Sequence, residues 1–453
     1  MLEGGSKAKY YFVADILDAF DSVPLSHSQY SQQLSQHLGK PLCNVPDPQG
    51  CCASFGDHFL NEAVGIMKLF HVEAEIKRAS DLYAAGAFDS RAAFFLENST
   101  QAAKITAESS MRETLGPDWS PIMPICGNCG RIATTRVVTH SGEAYGYVCD
   151  KDVKYAKGCG HKGTNKLTDH MYKLTWRLHW PAWMEYFGTS IEGAGVDHHT
   201  KGGSWDTLAR VFREMFNKEP PITFKFGFIL FQGKKYSKSK GIGMGLSDLL
   251  NVLPVEVISY ALLRPDLQEN IDINPNSQNM LRLIEDYSAA MQIDPTSQQI
   301  SRAERKRAIA ARLSSPEGLR WKFSFIDLLL YYELYRDWGT VAQKLSDNKG
   351  VEALKPYAIE WKKQNLAPPE YSFEINLTKL PEGAPKTFIS SLVESDTPEQ
   401  IHNKVFEAAK NHSVAPAEIF KGLYLHIIDK EHGPKLGKLV YAIGVNKIKT
   451  ALL

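Results

Sequence analysis

The sequence predicts an α/β half, built on a doubly wound sheet and carrying a cysteine-held ribbon, followed by an all-α half. Three observations carry this. Short apolar runs alternate with amphipathic stretches through the first quarter of the chain, the order of strands and helices in a doubly wound sheet. Four of the seven cysteines fall between positions 126 and 159. From Pro254 onward the pattern is helical, without strand-like alternation. At 453 residues the chain is too long for one ordinary core, so two or three domains are expected.

Taken in order, Lys9 to Ala14 reads as a buried strand ending at Asp15, and carboxylates just past a strand end are where open α/β sheets place ligand groups. The acids of Asp15 to Pro24 suit a surface loop equally well. Gln29 to Leu38 is helical, Pro46-Asp47-Pro48-Gln49-Gly50 is a turn, and Phe55 to Phe70 is an amphipathic helix. Val72 to Ile76 reads as a strand and Asp89 to Leu115 as one long helix. Lys166 to Leu174 reads as helical, and Phe224 to Phe231 as a strand. Helices then follow at 255–263, 277–291, 301–313 and 323–343. A Pro-rich linker spans 366–388, before helices at 398–411, 416–428 and 435–451.

Cys126-Gly127-Asn128-Cys129, Cys149 and Cys159-Gly160-His161 have the spacing of a zinc ribbon. Thiolates two residues apart across a tight turn share one tetrahedral ion, and the hairpin 132–139/143–148 returns the second pair to the first. The ligand set is Cys126, Cys129, Cys149 and Cys159, with His161 competing for the fourth place; a closed set of this kind is structural. Cys43, Cys51 and Cys52 read as ordinary free thiols.

Composition sets limits. The 43% hydrophobic and 23% charged content is that of a globular protein, and a net charge of +1 leaves any nucleic-acid partner to local basic patches. No run of about 18 apolar residues indicates a membrane span, and the N-terminus lacks a signal-peptide core, so a cytoplasmic setting is expected. A monomer is expected too, though nothing in the sequence fixes the oligomeric state. The lysines Lys435, Lys438, Lys447 and Lys449 beside Tyr441 suit an RNA backbone and a stacked base, or a solvated face.

Two glycine-flanked segments carry the candidate chemistry. Gly193-Ala194-Gly195-Val196-Asp197-His198-His199, then Gly202-Gly203-Ser204, reads as a strand end, a turn and a helix start. Backbone N–H groups there make an anion or ribose site. Gly233-Lys234-Lys235-Tyr236-Ser237-Lys238-Ser239-Lys240-Gly241 is a loop of donors suited to a polyphosphate whose charge rises during reaction. Between the ribbon and these segments, Trp176, Trp180 and Trp183 cluster within eight residues.

Lys235-Tyr236-Ser237-Lys238-Ser239 resembles the KMSKS signature of class I aminoacyl-tRNA synthetases. The Asp15–Pro24 segment, Leu38–Leu42 with Val45–Gly50, the ribbon and Trp176–Pro181 follow in the order of the archaeal-type class I lysyl-tRNA synthetases. So do Gly195–His198 with Gly202–Ser204, Arg264-Pro265 and Gly433–Gly437. The resemblance implies a Rossmann-like catalytic domain in two parts, 1–123 and 165–253, with a zinc-ribbon insertion at 124–164. A helical stem-contact and anticodon-binding domain would occupy 254–453. It implies ligation of lysine to its tRNA through lysyl-adenylate, with ATP and magnesium. Lys235, Lys238 and Lys240 would be catalytic. Gly195, Asp197, Gly202, Gly203, Ser204, Ser237 and Ser239 would bind ATP, and Asp15, Asp18, Trp176 and His198 would bind lysine. The partners implied are lysine, ATP and lysine tRNA, with a structural zinc.

The HIGH signature of class I synthetases is not found. Gln36-His37-Leu38-Gly39 ends a helix instead, so the resemblance implies a chain that begins inside the helix after that signature. A misplaced start or a shortened chain is the expected cause. His179 stands where the family usually has an acid. The alternatives are a tRNA-binding paralog without activation, or a class I ligase for another amino acid.

Overall fold

The computed structural model describes residues 8–116, 118–231, 233–235, 246–273 and 278–453, without the side chains of residues 231, 235, 247 and 273. The chain divides into two compact units, Met1–Gly243 with Pro265–Asp272, and Met244–Arg264 with Ile273–Leu453.

In the first unit the strand Tyr11–Ala14 runs parallel to Glu75–Arg78, with Tyr11 opposite Glu75 and Ala14 opposite Arg78. The connection carries the helix Phe55–Leu69, which Ser54 caps by accepting the Asp57 N–H at 3.1 Å. A second parallel pair, Ile191–Gly195 with Ile222–Phe226, is connected through the helix Ser204–Arg210. Among the described residues the two pairs stay separate two-stranded sheets, so the expected doubly wound sheet is present as parallel units and not as one continuous sheet. Between them, Ile122–Pro124 pairs antiparallel with Tyr172–Leu174 and frames a three-stranded antiparallel ribbon. The ribbon consists of Arg136–Ser141, Ala144–Val148 and Lys162–Lys166. The main core of this unit joins Tyr83, Phe88, Phe95, Tyr145, Tyr172 and Leu178.

Several sequence expectations shift. The strand expected at 72–76 begins at Glu75, because the helix before it ends in a left-handed turn at His71. The long helix expected from 89 to 115 is two, Asp89–Glu97 and Ser99–Ser109, with the break at Asn98. The Asn98 side chain donates to the Phe94 carbonyl at 2.8 Å, a local bond that competes with helix continuation. The helix expected over 166–174 is instead a strand end, a turn with His170 at φ 55° and the strand Tyr172–Leu174. The strand expected over 224–231 is two, Ile222–Phe226 and Ile229–Phe231.

The second unit is almost wholly helical. Its run 323–343 divides into Phe325–Tyr335 and Trp338–Leu345, since Arg336 takes a left-handed conformation and Asp337 caps the next helix by accepting the Thr340 N–H at 2.7 Å. The last run divides at Gly444, φ 102°, into Leu436–Ile443 and Val445–Leu452. The helix Asn348–Lys363, capped by Asp347, has no counterpart in the sequence reading, and Ala384–Ser391 begins inside the expected linker. Among the described residues, no helix is long and apolar enough to cross a membrane.

Candidate functional site

The first cluster forms where the strand Tyr11–Ala14 ends. Lys173, 1% exposed, stands on the buried strand Tyr172–Leu174 and donates to Asp15 Oδ2 at 2.8 Å and to Asp18 Oδ1. The two carboxylates assigned by sequence to the amines of a bound lysine therefore hold a lysine of the chain itself. Asp15 keeps one acceptor open, because its Oδ1 is buried without a hydrogen-bond partner. Below it lies His179, fully buried, with Nδ1 3.5 Å from Asp15 Oδ2 and ring centroids 5.4 Å from Tyr83 and Phe88 and 4.9 Å from Trp183. At that distance the histidine contact is a long polar one, beyond the length of an ordinary hydrogen bond. Burial works to raise the Asp15 carboxyl, but His179 and Lys173 outweigh it and hold it at about 2. Burial also lowers His179, so its ring is neutral at pH 7. Lys173 and His179 were absent from the sequence-assigned site, although a lysine between Tyr172 and Leu174 in a buried strand was a legible anomaly.

The second cluster surrounds the glycine turn. Trp176 is 38% exposed and stacks on Trp180 with centroids 5.5 Å apart; Trp180 in turn packs against His198 at 5.4 Å. His198 Nδ1 lies 2.6 Å from the hydroxyl of the buried Ser204. Trp176, His198 and Ser204 thus come together as one wall. The turn is anchored from inside by Arg177, which donates to the carbonyls of Gly202 (2.9 Å) and Gly203 (3.0 Å) and to Thr207 Oγ1 (2.7 Å). Glycine is obligatory at 203, since a Cβ would stand 2.3 Å from the His198 carbonyl oxygen, and Gly202 has φ 86°. The Gly203 N–H is already given to Thr200 O at 2.7 Å, so that donor is not available to an anion. Asp197 lies close beneath Gly195, where a Cβ would meet its Oδ1 at 2.7 Å. Glu192, also outside the sequence-assigned site, accepts from Trp180 Nε1 at 3.2 Å, and burial raises its carboxyl.

In the ribbon the sulfurs of Cys126, Cys129, Cys149 and Cys159 all lie within 4.8 Å of one another, so the fourth member of the group is Cys159. The pairs Cys126–Cys159 and Cys129–Cys149 are each 3.7 Å apart, close to the roughly 3.8 Å between thiolates on a tetrahedral zinc. Thr134 Oγ1 at 3.2 Å from Cys149 and Asn128 Nδ2 at 3.5 Å from Cys159 supply polar neighbours. These residues fit the metal.

The lysine–serine loop is described only at its start, where Lys234–Lys235 pairs antiparallel with Ile229–Phe231 and the Gly233 N–H reaches the Asp272 carboxylate at 3.1 Å. Ser237, Lys238, Ser239, Lys240 and the side chain of Lys235 lie outside the described residues. In the helical unit, Lys438 donates to Asp327 and Lys449 to the carbonyls of Ser390 and Leu392, so these two hold the fold. Tyr441 is 49% exposed.

A family model described as tRNA synthetases class I (K) matches residues 1–315. The chain is 30% identical to a lysine–tRNA ligase of Archaeoglobus fulgidus, over 100% of this chain and 90% of that protein. It is also 30% identical to a lysine–tRNA ligase of Methanosarcina barkeri, over 96% of this chain and 85% of that protein. A solved glutamate tRNA ligase from Elizabethkingia meningosepticum, in complex with its amino acid, covers 98% of both chains at 13% identity. Its TM-score of 0.35 is too low to bear on the fold.

Proposed function

This chain belongs to the class I tRNA synthetase (K) family, and we propose that it joins lysine to its tRNA at the expense of ATP. The observation that carries the reading is the 30% identity to a lysine–tRNA ligase along the whole chain. The reaction is an in-line displacement: a lysine carboxylate oxygen attacks the α-phosphorus of ATP and pyrophosphate leaves. A ribose hydroxyl of the terminal adenosine of tRNA then attacks the lysyl carbonyl of the adenylate, forming the ester and releasing AMP. Magnesium accompanies ATP and offsets charge on its phosphates.

Each residue's part follows from its chemistry. Lys235, Lys238 and Lys240, with Ser237 and Ser239, meet the charge that grows on the leaving pyrophosphate. Gly195, Asp197, Gly202, Gly203 and Ser204 receive the nucleoside end of ATP on the turn that Arg177 anchors. Trp176 and His198 wall the lysine stem, where an indole face attracts an ammonium group. Asp15 Oδ1, buried and unpartnered, is the acceptor for a substrate amine, while Asp18 acts through Lys173. The four ribbon cysteines hold a structural zinc. Residues 254–453 serve the tRNA stem and anticodon, and the setting is a cytoplasmic monomer.

One observation favours a second reading, a tRNA-binding relative without activation: Lys173 already neutralises the acids assigned to substrate. Lysine-dependent ATP–pyrophosphate exchange separates the two. Exchange with lysine, and not with glutamate or arginine, is the expected result; silence with every amino acid would sink the ligase reading for this chain.

A further inference from the structure

Outside the ribbon, a second group of metal-binding side chains gathers around the turn before the helix Phe55–Leu69. Asp47, Cys51, Cys52 and His58 each bring one ligand atom within 4.8 Å of the others. The Asp47 side chain is 0% exposed and that of His58 16%, while Cys51 is exposed, so the group opens to solvent on the Cys51 side. The separations match a tetrahedral ion at two edges. Cys51 Sγ to His58 Nδ1 is 3.4 Å and His58 Nδ1 to Asp47 Oδ1 is 3.6 Å, against about 3.6 and 3.3 Å for such ligands on zinc.

We propose that Asp47, Cys51, Cys52 and His58 form a second cation site, of the zinc class, distinct from the four ribbon cysteines. Two sulfurs, one imidazole nitrogen and one carboxylate oxygen are a borderline-soft donor set, which selects zinc over magnesium or calcium. The site is partly organised before any ion arrives. The Asp47 carboxylate accepts the backbone N–H groups of Gln49 (3.2 Å), Cys51 (2.9 Å) and Cys52 (3.1 Å), which closes the turn on itself. Asn61 Nδ2, from the helix, donates to Cys52 Sγ at 3.4 Å. One edge must open: the Cys51 and Cys52 sulfurs are 2.9 Å apart, whereas two thiolates on one zinc keep about 3.8 Å. Cys51 is exposed, so turning its side chain outward would meet solvent first. Because His58 sits in the first turn of the helix and the other three ligands precede it, the ion would tie the 47–52 turn to the helix start. With four protein ligands the site is closed, and its role is structural.

The test is zinc content of the full chain, measured by plasma mass spectrometry after gel filtration in metal-free buffer. The Cys51→Ser/Cys52→Ser double variant and, separately, His58→Ala are each expected to carry one equivalent less zinc than the parent, with an unchanged far-ultraviolet dichroism spectrum. Retention of the parent's zinc in both variants would overturn the site. So would a parent purified without reductant that is two hydrogens lighter at a Cys51–Cys52 peptide, since those sulfurs would then be spent on each other. Should the variants not fold, X-ray absorption of the zinc-loaded parent decides. A mixed sulfur and nitrogen/oxygen shell supports the site, and an all-sulfur shell overturns it.

Discussion

Lys173 is an ammonium group at 1% exposure that is tolerable only because Asp15 and Asp18 face it. Replacing it by methionine removes the partner and leaves a buried carboxylate uncompensated. Lys173→Met is therefore expected to cost about 3–5 kcal/mol, read as a lower midpoint in urea unfolding. The same cluster sets an acid sensitivity. Asp15 is lowered from 3.8 to about 2, so the unfolded chain binds more protons in between, and stability falls as pH drops through that window. The loss is on the order of 2 kcal/mol. His179 acts earlier: burial keeps it neutral when folded, so only the unfolded ring takes a proton once pH falls below 6.5. Urea midpoints measured from pH 7 to pH 2 should fall in two legs, and His179→Gln should shrink the upper one, to which His27 and His37, also lowered by burial, contribute. A Gln variant with an unchanged upper leg would refute the assignment.

Among the elements, the turn between the strand Ile191–Gly195 and the helix Ser204–Arg210 is the most constrained. Gly203→Ala would push a methyl group to 2.3 Å from the His198 carbonyl and force the turn off Arg177. The expected result is at least about a tenfold fall in kcat/KM for ATP in pyrophosphate exchange, or about 1.4 kcal/mol, with a smaller change for lysine. Equal loss for both substrates would instead mean that the turn supports the whole unit. Helix existence was legible for most elements, but breaks were not. Asn98 and the Arg336-Asp337 pair divide helices by local hydrogen bonding and a left-handed residue, which apolar periodicity does not register. Gly444 was likewise read through as part of one helix over 435–451, although a glycine is a stop signal.

For the whole molecule, the two units are expected to divide the chemistry. Tyr441 lies on the helix Leu436–Ile443 with half its surface exposed, while its neighbours Lys438 and Lys449 are engaged internally. Tyr441→Ala should therefore leave lysine-dependent exchange unchanged and raise the KM for tRNA by about 5-fold or more in aminoacylation, the loss of one stacked base being worth about 1–3 kcal/mol. If exchange falls as well, the residue supports the fold and not the RNA.

The sequence by itself determined the family and the function it implies, because the glycine turn, the ribbon spacing and the lysine–serine loop are local patterns whose order along the chain is specific. It also determined the change from mixed α/β to helical character near Pro254, since periodicity is a property of neighbouring residues. Only the tertiary structure decided which acids remain open. Asp15 and Lys173 are far apart in the chain, so nothing in either segment announces that one neutralises the other. The same holds for Arg177 beneath Gly202 and Gly203, and for the choice of Cys159 as the fourth sulfur. Cys51 and Cys52 read as ordinary thiols because spacing alone did not reveal that His58 and the buried carboxylate of Asp47 converge on them. Charge pairing and ligand sets depend on distance in space, and folding is what sets that distance.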